Sequence, residues 1–202
     1  MSELDHATSP QKEQIRRAAS LSQTMAGNHL AFVGLGVYIA IQTGGAWQAY
    51  AIVLLALSAV IGGFVAANLI RRGEQTRGGW LLFTTTWFAP AGAAWVLANF
   101  SYVSVGFILV STYFIISFAM TRESQRAAWI NLAAVLLIPI AAQIIDPAWR
   151  LVSPFMLTAA PIITAILAVA LIVIVGRQIL SRFNSVFQSL RVGQKIVAGS
   201  II

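Results

Sequence analysis

Arg71-Arg72-Gly73-Glu74-Gln75-Thr76-Arg77-Gly78-Gly79-Trp80 is a short basic island between two long apolar runs, and its order recurs. Arg122-Glu123-Ser124-Gln125-Arg126-Ala127-Ala128-Trp129 repeats Glu, two polar residues, Arg, two small residues and Trp. Ten residues beyond each Trp stands a proline, Pro90 and Pro139. A third copy without the Trp, Glu13-Gln14-Ile15-Arg16 followed by Arg17-Ala18-Ala19, precedes the first apolar run. Islands of this kind mark where a chain leaves a bilayer, turns and re-enters it.

Working outward, six apolar segments run over 27–44, 48–70, 79–99, 101–120, 127–145 and 153–176. Each is near the roughly 20 residues that cross about 30 Å of hydrocarbon. The composition agrees. Only 9% of residues are charged and 58% are hydrophobic, against about 25% charged in a soluble domain, too few to build a water-facing surface. The expected fold is an all-α membrane protein: six transmembrane helices arranged as three hairpins. The net charge of +7 is spread between lipid-length runs rather than massed with aromatics, which argues against a nucleic-acid partner. The chain has no cysteine, so disulfides, thiolate metal sites and thiol nucleophiles are excluded. Residues 1–25 are polar, without the apolar stretch of a signal peptide.

Orientation follows from Lys and Arg. Lys12, Arg16 and Arg17 precede the first segment; Arg71, Arg72 and Arg77 follow the second; Arg122 and Arg126 follow the fourth; Arg177, Arg182, Arg191 and Lys195 follow the sixth. Only Arg150 falls on the other side. The positive-inside rule then places both termini and both islands in the cytoplasm. Trp80 and Trp129 become inner-boundary anchors, and Trp47, Tyr50, Phe100, Tyr102 and Trp149 an outer aromatic belt. Within each island, Glu is spaced to pair with the Arg three residues on. The domain plan is a polar arm or interfacial helix over 1–25, with Ile15, Ala18, Ala19 and Met25 as its weak apolar face, a six-helix region over 26–176, an amphipathic linker over 177–195, and the start of a further apolar segment over 196–202.

Two features speak to packing. Ser58, Gly62 and Ala66 form one row of small residues, and Ala59, Gly63 and Ala67 a second, so neighbouring backbones should approach closely there. Thr84, Thr85 and Thr86 precede Pro90, which frees the carbonyl of Thr86; threonine hydroxyls are expected to help re-satisfy the freed groups. Kinks are expected at Pro90, Pro139 and Pro161. A small pocket for an uncharged ligand would lie among the third, fifth and sixth segments, lined by the three threonines, Asn131 and the three prolines.

Catalytic chemistry finds no residues to work with. No Lys, Asp or Glu stands in the middle of a span, which removes a retinal Schiff base and the usual proton and cation relays. His29 reads as an interfacial residue at the start of the first span rather than a metal or haem ligand. The expectation is therefore no catalytic residue, no metal and no cofactor.

After the sixth segment, Ile179, Phe183, Val186 and Leu190 form a heptad-like seam with polar residues opposite. It predicts either an amphipathic helix on the inner leaflet or a homodimer contact through 177–191. Ser189-Leu190-Arg191-Val192-Gly193-Gln194-Lys195-Ile196, with the apolar residues after it, resembles the Leu-x-Val-x-x-Lys-Ile run that opens the transmembrane helix of bacterial methyl-accepting chemotaxis proteins. The resemblance implies the N-terminal sensory or anchoring region of a longer bacterial signalling protein in the inner membrane, with a cytoplasmic output domain as partner. The other reading is a small facilitative transporter or channel for a neutral solute, built from repeated hairpins.

Overall fold

The computed structural model describes the backbone of residues 9–199 and the side chains of 11–174, 176 and 177. Six helices run in order: α1 Ser9–Gln42, α2 Trp47–Arg71, α3 Gln75–Val96, α4 Ser101–Phe118, α5 Arg122–Ile145 and α6 Pro154–Gly199. Five of them, all but α3, are long and apolar enough to cross a membrane.

The breaks have local causes. Gly44 and Gly45, both at positive φ, separate α1 from α2. At the end of α2, Gly73 turns left-handed at φ 93°. Its N–H donates to the Ile70 carbonyl and that of Glu74 to the Leu69 carbonyl, each at 3.0 Å. This is a Schellman closure, which satisfies carbonyls the helix leaves open. Asn99 and Asp146 take positive φ in the next two turns at the opposite end.

Hydrogen bonds between turns show which ends lie together. Gln75 Nε2 donates to the Phe118 carbonyl, Thr76 and Thr121 share a hydroxyl contact at 3.2 Å, and Arg71 reaches Gln23 at 2.8 Å. Both Trp-bearing islands and the first half of α1 thus share one end, the basic end. At the other, Gln48 Nε2 donates to the Trp149 carbonyl at 2.7 Å, and the 97–98 and 151 backbones pair.

α3 is the hub, packing against α1, α2, α4 and α5. Twelve of its 22 residues are buried. α1 is one unbroken helix, so no break separates residues 9–25 of the arm from the first span. Ile15, Ala18, Ala19 and Met25, the residues of its expected apolar face, are buried in the same cluster as Ala66, Ile70, Leu82 and Met120. Among the described residues the expected third hairpin shows no substantial α5–α6 packing. α5 packs on α3 and α4, whereas α6 packs on α4. The 146–153 connection is pinned to the ends of α3 and α4 by its hydrogen bonds. A hairpin duplication covering α3–α4 and α5–α6 is therefore not reproduced in packing.

Candidate functional site

A heavily bonded connection lies opposite the basic end and centres on Arg150. Its side chain is only 4% exposed. Nη2 donates to the Ala94 carbonyl at 2.5 Å and to Ser101 Oγ at 3.3 Å, and Nη1 to Asp146 Oδ1 at 3.2 Å. The need for a donor is created by the backbone. The amide of Ala98 would ordinarily serve the Ala94 carbonyl, but it donates instead to the Leu151 carbonyl at 3.0 Å. Leu151 N–H returns a bond to the Val96 carbonyl at 2.8 Å. A guanidinium over the last turn of α3 fills the vacated position and is favoured by the helix dipole. Arg150 thereby ties the α5–α6 connection to α3 and α4.

The residues expected to line one pocket are distributed over three separate places. Thr84 and Asn131 face a cleft of about 350 Å³ between α3 and α5, shared with Trp80, Phe83, Trp87 and Ile138. Pro90 lines an enclosed space of about 20 Å³ within α1–α4, with His29, Phe32, Ala56 and Phe107. Pro161 is exposed and lines a third groove beside Asn99, Tyr102 and Thr164. Pro139 is buried on α5 outside these spaces. The three-helix pocket fails because α5 and α6 share no substantial contact among the described residues.

The threonine hydroxyls do not reach the carbonyl that Pro90 frees. Thr84 and Thr85 donate to carbonyls four residues back, those of Trp80 and Leu81, at 2.9 Å each. The freed carbonyl belongs to Thr86 itself, ahead of the reach of its own helix's upstream hydroxyls. Thr86 Oγ1 is buried with no partner.

The small-residue rows serve two partners. A Cβ on Gly62 would meet Thr85 of α3, its Cβ at 2.8 Å. One on Gly63 would meet Ala26 Cβ of α1 at 2.8 Å. Ser22, fully buried on α1, donates to the Gly63 carbonyl at 2.8 Å. Ala59, Ala66 and Ala67 are buried, whereas Ser58 is exposed and bonds within its own helix. The close approach thus starts one turn later than the sequence row.

The islands are alike in sequence and unlike in contact. Glu74 pairs with Arg77 at 2.9 Å and Glu13 with Arg16 and Arg17, but Glu123 and Arg126 form no ion pair among the described residues. Gly78 and Gly79 are both buried, with a Cβ on Gly79 reaching the Ala119 carbonyl at 2.5 Å. In the second copy Ala128 is buried and Ala127 exposed. Trp80 is half-buried against Phe83, whereas Trp129 is 49% exposed. Arg71, Arg72, Arg122 and Arg126 are exposed at the basic end. Among the outer aromatics, Trp47, Tyr50, Tyr102 and Trp149 are exposed, but Phe100 is 2% exposed, packed inward by the α3–α4 turn.

His29 corrects a sequence expectation. It is 1% exposed, not interfacial. Its ring stands edge-on to Phe107 of α4 at 5.5 Å and beside Phe32 at 6.0 Å. The cause is the length of α1, whose buried face begins at Ile15, fourteen residues or about 21 Å earlier. Trp87 Nε1 to Thr112 Oγ1, at 2.7 Å, is a buried α3–α4 bond that the sequence reading also missed.

Five apolar, membrane-length helices around a partly polar hub define a helical, multi-pass membrane protein. Compared with known proteins, the chain matches no family model, no curated protein and no solved structure.

Proposed function

We propose that this chain is the membrane-embedded sensory or anchoring module of a bacterial signal-transduction protein. In this reading all six helices cross the inner membrane, with both termini and the basic end cytoplasmic by the positive-inside rule. A shift or rotation of α6 is passed through the helix beyond Arg177 to a cytoplasmic output region. The observation that carries it is α6 itself. It is one helix of 46 residues, about 69 Å long, against about 30 Å of hydrocarbon. Among the described residues its helix-to-helix packing is mainly on α4, with Phe155 near its start set edge-on to Tyr38 of α1. The receptor-like 189–196 run supports the same reading. Dimerisation through 177–191 belongs to this proposal; apart from Arg177, its side chains lie outside the described residues.

The test is a chimera joining residues 1–191 to the signalling region of a bacterial chemotaxis receptor, with one to four alanines inserted after Arg177. Output should vary with a period near 3.6 residues, because each insertion turns the helix by about 100°. Output that ignores insertion number would reject the coupling. The transporter reading predicts instead uptake of neutral solutes by proteoliposomes.

A further inference from the structure

We infer that the cleft between α3 and α5 binds one anionic phospholipid of the leaflet at the basic end, with an acyl chain in the cleft and the phosphate at Arg77. The cleft holds about 350 Å³ and is lined by both helices. Phe83, Trp87 and Ala91 are buried at its floor, and Phe88 and Ala134 are exposed on its walls. The Trp87 indole N–H is already given to Thr112, so its ring offers only apolar surface. Asn131 is the free donor. One of its amide hydrogens goes to the Ala127 carbonyl at 2.9 Å, and the second has no partner among the described residues. Thr84 spends its one hydrogen on the Trp80 carbonyl.

Level along the helices gives the order of these groups. α3 and α5 both start at the basic end, tied there by the Thr76–Thr121 hydroxyl contact. Counted from that contact, Thr84 lies eight residues in and Asn131 ten, about 12 and 15 Å and so within one turn of each other. Ala91 and Ile138 are each seven residues further, about 10 Å deeper. Arg77 stands at the mouth on the same face of α3, since positions 77, 80, 84, 87 and 91 recur at intervals of three and four. Its side chain is 81% exposed and pairs with Glu74 at 2.9 Å, an exposed pairing of little strength. Around it the two islands bring five arginines against two glutamates. A guanidinium suits a phosphate in both charge and geometry. Cation, amide donor and apolar channel thus follow one another inward, as phosphate, ester carbonyl and acyl chain do in a phospholipid. An uncharged apolar filler would leave the cation and the amide unused. A helix from another chain would meet aromatic bulk where helix contacts are made by small residues. The site does not depend on the proposed signalling role.

Native mass spectrometry reads the site on the full chain, released from vesicles holding phosphatidylglycerol and phosphatidylcholine in equal amounts with identical acyl chains. One phosphatidylglycerol should stay bound several-fold more often than phosphatidylcholine. Equal retention of the two would mean bulk lipid contact only and overturn the proposal. Ala134→Trp fills the cleft from an exposed position and should abolish the retained lipid in a protein that still melts cooperatively; Ala134→Leu takes its place if the larger side chain prevents folding. Retention that survives a filled cleft would put the lipid on the basic end alone and overturn the acyl-chain assignment. Arg77→Gln should cut the preference for phosphatidylglycerol several-fold, with Arg77→Lys keeping most of it. A preference unchanged in the glutamine variant would overturn the phosphate assignment.

Discussion

α3 and α6 are the extremes of this bundle, and their hydropathy runs opposite to their burial. The most apolar stretch of α6 has mean hydropathy 2.7 and only 6% of its residues buried. α3 falls short of the span criterion that the other five helices meet, yet buries more than half of its residues. In water the order would be reversed, because apolar surface is driven inward. In lipid there is no such drive, and contact is made by small residues, close backbones and hydrogen bonds. α3 supplies these with Gly78, Gly79, Thr86, Ala93 and Ala94, which lower its hydropathy for the same reason that they let it pack. α6 presents Ile162, Ile166, Val169 and Ile172 outward, more than half exposed. Apolarity here marks what faces lipid.

The largest test of this contrast is at the clasp joining the two helices. Arg150→Met keeps the bulk but leaves the Ala94 carbonyl and Ser101 without their donor. Stability should fall by about 2–4 kcal/mol, the range for losing charged hydrogen bonds from a buried site. Equilibrium unfolding in mixed micelles measures it, and a loss under 1 kcal/mol would show that the 146–153 connection is held by its backbone pairs alone. Next in size is overpacking of the hub. Gly62→Leu pushes into Thr85 and Gly63→Leu into Ala26; each should cost about 1–3 kcal/mol or abolish folded protein. Wild-type yield and melting of both variants would mean that α2 does not meet its neighbours there.

Trp87→Phe sharpens the account of α3 by removing the bond to Thr112 while keeping an aromatic ring. About 1 kcal/mol is expected, as for interhelical polar contacts in membranes, and Thr112→Val in the same background should add little further. The smallest effect belongs to α6. Ile166→Ala and Ile172→Ala should each shift stability by less than about 0.5 kcal/mol, since lipid replaces lipid contact. A loss above 1 kcal/mol at either site would reveal a partner on that face.

Much of the pattern was readable because it is local. Island chemistry and helix number follow from residues within a few positions of one another. The Glu–Arg spacing foretold the ion pairs at Glu13 and Glu74, but Glu123 and Arg126 make none among the described residues. Ile15, Ala18, Ala19 and Met25 were recognisable as an apolar face; that this face packs into the bundle was not. His29 was misplaced because the apolar segment was started at residue 27, whereas the buried face of α1 is sparse and begins among charges. Arg150 carried a signal, being the one basic residue away from the basic end, but its target is a carbonyl vacated by a pairing 53 residues apart in the chain, Ala98 with Leu151.

The sequence by itself determined an all-helical, multi-pass membrane protein and where its apolar runs begin and end, since hydropathy and basic islands act over a turn or two. Only the tertiary structure decided which helix is the hub, that α5 and α6 do not pack on one another, and that Thr84, Pro90 and Pro161 enter three different spaces. Those outcomes depend on which faces meet at distance. In a chain where nearly every face is apolar, hydropathy does not rank the candidates; glycine clearances and a few buried hydrogen bonds do.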